Sequence, residues 1–232
     1  MKKYIFLFLL CVLGVLSSCQ DDVIFNNPAF QATINNEVWK ANLKSAIKER
    51  SGVMVIKGTS QYDNLELNIS SSNVGTYKLG TVNQSNVASF YPVNNEDVFY
   101  STGITEGSVN EIKLTNGGTG YTTASIVSTS GGSGTGLKVN ITAGSNGVIT
   151  KVEINVPGTD YLPGDVITVV AGNNNASFAV VSVSKSNGEI VITENTGATI
   201  SGTFKFIAFD ETTKDLISCR EGVFYKLPIT TN

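Results

Sequence analysis

The chain has no histidine among its 232 residues. That absence removes Ser-His-Asp and Cys-His catalysis and the commonest zinc ligand. Cysteine is nearly as scarce, with Cys11, Cys19 and Cys219 alone. Charged residues make up 15% of the chain and nowhere gather into a basic run, so nucleic acid is not an expected partner. Neither a Gly-x4-Gly-Lys-[Ser/Thr] phosphate loop nor a His-Glu-x-x-His zinc motif occurs. The apolar run at the start, residues 4–16, would form a helix of about 20 Å, short of a hydrocarbon core of about 30 Å.

What is present begins with a leader. Lys2 and Lys3 precede that run, and Leu16, Ser17, Ser18 and Cys19 close it. A basic start, a short apolar middle and a small-residue end predict a secretory signal over residues 1–18. Leu16-Ser17-Ser18-Cys19 resembles the lipobox of bacterial lipoproteins. The resemblance implies cleavage before Cys19, lipidation of Cys19 and a membrane partner held through several acyl chains, because one chain binds weakly. Residues 19–29 then read as a lipidated polar tether. Asp21 and Asp22 are unfavourable near an anionic membrane surface. They look like an acidic tag for export to the outer face of the outer membrane, or they are a solvated spacer. With Cys11 removed and Cys19 acylated, Cys219 is left without an intramolecular disulfide partner and reads as a buried small hydrophobe.

Loss of Lys2 and Lys3 leaves 14 basic against 19 acidic residues in the mature chain, enough length for a large β domain. From Phe30 onward the pattern is strands. Segments 31–34 and 37–41 flank Asn35 and Asn36, a tight hairpin turn. Residues 53–56 are continuously apolar, as in a strand buried on both faces. Leu65, Leu67 and Ile69 alternate with polar residues, as in a half-buried strand. Segments 76–79, 88–91 and 97–100 continue the series. Residues 41–50 fit a helix and a strand equally well. The fold class expected is all-β, an antiparallel sandwich or barrel, with parts at 30–108 and 186–232 and a two-repeat β module at 109–185.

The module repeats itself at an offset of 40. Ile112 and Leu114 fall on Val152 and Ile154, Gly118 on Gly158 and Tyr121 on Tyr161, while Leu137, Val139 and Ile141 fall on Ser177, Ala179 and Val181. Such copies stack to share a core. Asn146-Gly147 and Asn187-Gly188 predict tight hairpins closing the units. The segment resembles the Gly-Tyr repeats of phage and other extracellular structural proteins, which implies a spacing or contact role and no catalytic residue. The flanking strings "AFQATINNEVWKA", "ISGTFKFIAFD" and "REGVFYKLP" resemble a β-barrel or sandwich family of uncharacterised bacterial lipoproteins, a domain of unknown function. That likeness implies fold and location only.

Candidate chemistry is thin. Ser45 and Lys48 match Ser-x-x-Lys without its companion motifs, and on a strand they would face apart. Residues 131–136 are glycine-rich and read as a turn. Glu96 with Asp97, or Asp160 with Asp165, could pair for glycoside hydrolysis, or Asp160 and Asp165 could supply Ca²⁺ ligands; solvated turn charge accounts for them as well. Trp39, Tyr62, Phe90, Tyr91, Phe99 and Tyr100 either line a sugar- or lipid-binding face or pack in the core and rim. No catalytic, metal or cofactor-binding residue is assigned, and no cofactor is expected. The function expected is that of a surface lipoprotein that binds an extracellular glycan or protein without chemistry. A structural accessory of an outer-membrane complex, a periplasmic orientation and a carboxylate-pair hydrolase are the alternatives.

Overall fold

The computed structural model describes residues 27, 29–95 and 97–232. The signal, Cys19, Asp21, Asp22 and Glu96 lie outside the described residues. Every regular element within them is a strand. The first eight are β1 (Ala29–Ile34), β2 (Glu37–Lys40), β3 (Leu43–Lys48), β4 (Met54–Thr59), β5 (Asp63–Ile69), β6 (Gly75–Leu79), β7 (Val87–Pro92) and β8 (Tyr100–Ser101). Next come β9 (Val109–Asn116), β10 (Ala124–Ser130), β11 (Thr135–Ala143), β12 (Ile149–Thr159), β13 (Val166–Val169) and β14 (Ser177–Val183). The chain finishes with β15 (Asn187–Asn195), β16 (Thr199–Phe209) and β17 (Leu216–Thr231).

The fold is all-β, in two sheets. An eleven-stranded sheet has the order β2-β1-β17-β3-β4-β5-β7-β8-β16-β15-β6, and β16 pairs back onto β17. That extra pairing curls the sheet into a nearly closed barrel. The long β17 makes it possible. One of its edges carries β16, and the other carries β1 up to Tyr225 and then, in parallel, β3 at Ile229 to Thr231. The core is aromatic. Phe30, Phe204, Phe206 and Phe224 are buried with Trp39, and Phe204 packs on Phe30, Phe206 and Phe224. Rings this large need room on the neighbouring strand. Gly202 pairs with Phe224 and Gly222 with Phe204, and a Cβ at either glycine would stand 2.3 or 2.5 Å from the ring. Cross-strand glycine lets the ring lie flat over the backbone.

Residues 41–50 resolve as β3, because Ala46 and Ile47 pair with Ile56 and Val55 of β4; tertiary pairing decides where local periodicity was neutral. Strand structure at 97–100 is shorter than expected and holds Tyr100 and Ser101 alone. The backbone N–H of Phe99 donates to the Asp210 carboxylate at 2.6 Å instead of to a neighbouring strand.

The second sheet has the order β12-β11-β10-β13-β14-β9. Exchanging β9 with β12, β10 with β13 and β11 with β14 reproduces this order in reverse. The sheet therefore carries an approximate two-fold between β10 and β13. Each unit's first strand lies against the other unit's last. Paired bonds between Gly107 and Tyr161, with Ile149 N–H donating to the Gly117 carbonyl at 2.9 Å, bring β9 beside β12 and close the module's own core. The repeat register corrects by one residue along β14. Phe178 and Val180, not Ala179 and Val181, are the buried counterparts of Val139 and Ile141: Phe178 pairs with Leu114 as Val139 pairs with Ile154, and Val180 pairs with Ile112 as Ile141 pairs with Val152. The offset there is 39, and because a strand alternates faces the one-residue change is what keeps apolar residues inward. Asn146 and Gly147 do turn the chain from β11 into β12, where Gly147 N–H donates to the Gly144 carbonyl at 2.9 Å. Asn187 and Gly188 instead lie within β15, and of the four residues only the two glycines have positive φ. The turn before β15 is at Ser184 and Lys185, closed by the Val183–Ser186 bridge.

The module joins the barrel at a short neck. Ser186 is buried and its hydroxyl donates to the Gly103 carbonyl at 2.7 Å. Lys78 of the barrel reaches Glu111 of the module at 3.6 Å and Glu189 at 3.4 Å.

Candidate functional site

The site starts with Asn35 and Asn36, whose φ angles of 48° and 70° make a tight two-residue hairpin turn. The turn folds β2 back on β1 and pairs Ala32 with Trp39. Strand alternation then sends Trp39 inward and Val38 and Lys40 outward. β2 ends the strand order, so its outer edge has no strand partner. Across from that edge stands the turn at 60–63. The Ser60 hydroxyl accepts from the N–H groups of Tyr62 (3.2 Å) and Asp63 (2.9 Å), and Val93 N–H donates to the Tyr62 carbonyl at 2.7 Å. This network fixes a turn that holds Tyr62 69% exposed.

Between hairpin and turn lies a groove of about 560 Å³, with Trp39, Tyr62 and Phe90 among its walls and Glu37, Lys40, Asn42, Gln61 and Asp63 around it. Trp39 is 6% exposed and meets Phe30 edge-on at 5.5 Å, yet its indole N–H has no hydrogen-bond partner. The side chains of Glu37, Lys40, Asn42, Gln61 and Asp63 likewise make no hydrogen bond or ion pair with the described residues. Burial pushes the Asp63 carboxyl above its usual range, with no partner to offset it.

Outside the groove, two carboxylates are bound internally. The Asp210 carboxylate, 1% exposed, accepts from the N–H groups of Phe99, Thr212 and Thr213. Burial opposes its charge, but those donors, with Lys214 nearby, hold its carboxyl below the usual range. It caps a smaller cleft of about 210 Å³ between Phe99 and Phe209. Lys185 and Lys214 sit over the Phe209 ring at 5.2 and 5.8 Å. Asp165 Oδ2 accepts from the Ser133 N–H (3.0 Å), the Ser133 hydroxyl (2.7 Å) and the Leu162 N–H (3.0 Å), latching the second repeat unit to the first. Asp160 has φ 63° where the first unit has Gly120 at 78°, so it holds a turn. Ser45 and Lys48 lie three apart on β3 and face opposite ways. Burial pushes the Cys219 thiol up to about 12, as for an inert core residue.

Of the six aromatics singled out, the structure brings together Trp39, Tyr62 and Phe90. Tyr91 packs on Phe99 at 5.5 Å, away from the groove walls, and Tyr100 packs on the barrel core. The rim residues Glu37, Lys40, Asn42, Gln61 and Asp63 carry no local signature and come from segments that meet only through the hairpin.

No curated protein and no solved structure matches the chain. One family model matches it twice, over residues 26–152 and 123–228, and the two matches overlap inside the repeat module. Together they cover most of the sequence, and the chain belongs to that family, a domain of unknown function (DUF6252).

Proposed function

We propose that the protein is an outer-membrane lipoprotein, anchored through acylated Cys19 and facing the cell exterior, that binds an extracellular glycan or protein at the groove without a chemical step. The observation that carries this reading is the groove's unspent chemistry: an exposed Tyr62 beside five polar side chains with no partner among the described residues. Of the five, Asp63 is half-buried and the other four are exposed, so all of them are free to meet an outside ligand. The leader and the residues 16–19 support the anchor. The chain enters β1 at Ala29, about 17 Å along the strand from the turn at Asn35 and Asn36. A tether leaving there would put the hairpin tip away from the membrane. The Gly-Tyr likeness of the module supports a spacing or contact role beside the groove.

Two experiments test this. Palmitate labelling should disappear in Cys19→Ser, and protease shaving of whole cells should reach the protein; loss of accessibility in the Asp21→Ala, Asp22→Ala double variant would identify the acidic tag. Arrays of extracellular glycans and matrix proteins should give a signal that Tyr62→Ala lowers. Silence of the wild type on both arrays at high protein concentration sinks the binding role.

A second reading, a structural accessory of an outer-membrane complex, is favoured by one feature. Ile126 on β10, Val166 on the adjacent β13 and Val170 just past the end of β13 are exposed. Crosslinking followed by purification would then recover a stoichiometric membrane partner.

A further inference from the structure

Asparagine precedes glycine three times, at Asn116, Asn146 and Asn187. Such a pair can modify itself, because glycine has no side chain to obstruct attack by its own amide nitrogen on the asparagine Cγ. The nitrogen gives up its proton to base and bonds to Cγ, the Cγ–Nδ2 bond breaks, and ammonia leaves a succinimide ring. Water then adds across one of the two ring C–N bonds, giving aspartate or isoaspartate.

The fold treats the three pairs differently. Asn187 is half-buried, and its Nδ2 donates back to the Val183 and Ser184 carbonyls at 2.9 and 3.1 Å. Those bonds draw the carboxamide toward the preceding turn, away from the nitrogen of Gly188. Gly188 is itself held between β16 and β6, opposite Phe206 and Leu79. Asn116 ends β9 with both carboxamide atoms engaged: Nδ2 donates to the Asn175 carbonyl at 3.2 Å, and Oδ1 accepts from Gly118 N–H at 3.0 Å. Asn146 is exposed at the tip of the β11–β12 hairpin. Its Oδ1 accepts from Val148 N–H at 3.2 Å, which folds the side chain over its own Gly147 peptide. That N–H also stabilises the charge that develops on Oδ1 as Cγ is attacked. Its Nδ2 has no hydrogen bond among the described residues, so the leaving nitrogen can take its proton from water. Gly147 N–H donates to the Gly144 carbonyl at 2.9 Å, so the turn must loosen before the nitrogen attacks. A hairpin tip opens at far less cost than a strand paired on both edges.

We infer that Asn146 is a self-modification site, deamidated through Gly147, and that its isoaspartyl product loosens the closure of the repeat module. The two products differ in consequence. Aspartate keeps the main chain at its length and still offers Val148 N–H an acceptor. Isoaspartate inserts a methylene into the main chain at the turn. The Gly147 carbonyl accepts from Tyr121 N–H at 3.0 Å, and Ile149 N–H donates to the Gly117 carbonyl at 2.9 Å. Both bonds tie this turn to the connection between β9 and β10, and both lose their register when the turn lengthens.

The test ages the mature chain at mildly alkaline pH, folded and in guanidinium chloride, and follows the mass of each Asn-Gly peptide after digestion. In the folded protein Asn146 should convert at least about tenfold faster than Asn116 or Asn187. In denaturant the three should convert at similar rates, since each follows a serine or threonine and only the fold distinguishes them. Hydrogen exchange at the Tyr121 and Ile149 amides should quicken in the isoaspartyl fraction and not in Asn146→Asp, which carries the charge without the methylene. Conversion of Asn116 or Asn187 as fast as Asn146 in the folded chain overturns the assignment. So does a folded Asn146 that stays intact while the denatured chain converts, and both measurements use the wild type. Unchanged exchange in a verified isoaspartyl fraction overturns the loosening of the module, as does equal quickening in Asn146→Asp.

Discussion

Asp63 in the barrel groove and Asp165 in the repeat module are both half-buried aspartates beside a turn, and their carboxyls move in opposite directions. Burial alone acts on Asp63 and raises it. On Asp165 burial also opposes the charge, but the Leu162 N–H and the Ser133 hydroxyl and N–H outweigh it and lower the carboxyl. The contrast extends to the regions around them. In the module, Asn173 and Asn175 donate to the Thr119 hydroxyl at 3.1 Å, Thr119 N–H donates to Asn175 Oδ1, and the Tyr121 hydroxyl accepts from the N–H groups of Asn175 and Ala176 at 3.0 and 2.8 Å. In the groove the polar side chains are left over. One region uses its polar atoms to hold itself together, and the other leaves them open to solvent.

The largest effect expected from this contrast lies inside the module. Tyr121→Phe removes the acceptor of two N–H groups, one fully buried, and should cost about 3 kcal/mol in urea unfolding. Tyr161→Phe, at the equivalent place, removes a hydroxyl with no hydrogen bond among the described residues and should cost under about 1 kcal/mol. Equal losses would break the distinction between bonded and idle groups.

Asp165→Ala should cost about 2 kcal/mol at neutral pH, since three donors lose their acceptor. The pH dependence follows from the sign of the shift. A lowered carboxyl binds fewer protons in the folded than in the unfolded chain. Its contribution is complete above the unfolded value of 3.8 and fades as pH falls through the lower folded value. Stability of the variant should therefore change less than that of the wild type between about pH 5 and strong acid.

A smaller gain is expected at Ile126, a β-branched residue held at φ 57° where the β10–β11 register slips. Ile126→Asn should add about 1 kcal/mol, because asparagine tolerates this backbone region. A loss would mean that the exposed side chain already has a covering partner. The smallest effect belongs to the groove. A raised carboxyl keeps its proton longer in the folded chain, so stability falls as pH rises from 3.8 through the raised value. Asp63→Asn removes that penalty and should raise stability at pH 7 by less than about 1 kcal/mol, read from the melting temperature. A clear loss would show that Asp63 has structural work after all.

Much of the fold was legible in the residues. The alternation of Leu65, Leu67 and Ile69, the two asparagines at 35 and 36 and the absence of helical periodicity elsewhere all point to strands, and strands they form. Residues 41–50 were ambiguous because their local pattern is; pairing with β4 decides. Asn187 and Gly188 misled because a turn dipeptide is equally at home opening a strand when Ser186 already bridges to Val183. The one-residue slip between repeats shows only when the buried face of β14 is known, since Val181 and Val180 are equally apolar. The groove was half legible. Trp39, Tyr62 and Phe90 stood out as aromatics, but so did Tyr91, Phe99 and Tyr100. What separates them is the closure of the β1–β2 hairpin over the turn at 60–63, a long-range event without a local sign.

The crossed seating of β9 and β12 carries a last consequence. Neither half of the module owns a complete sheet; each lends its opening strand to its twin and borrows one back. A chain shortened to a single unit would have nothing to borrow from except a second molecule, so halving this module should yield not a smaller monomer but a trade between two chains.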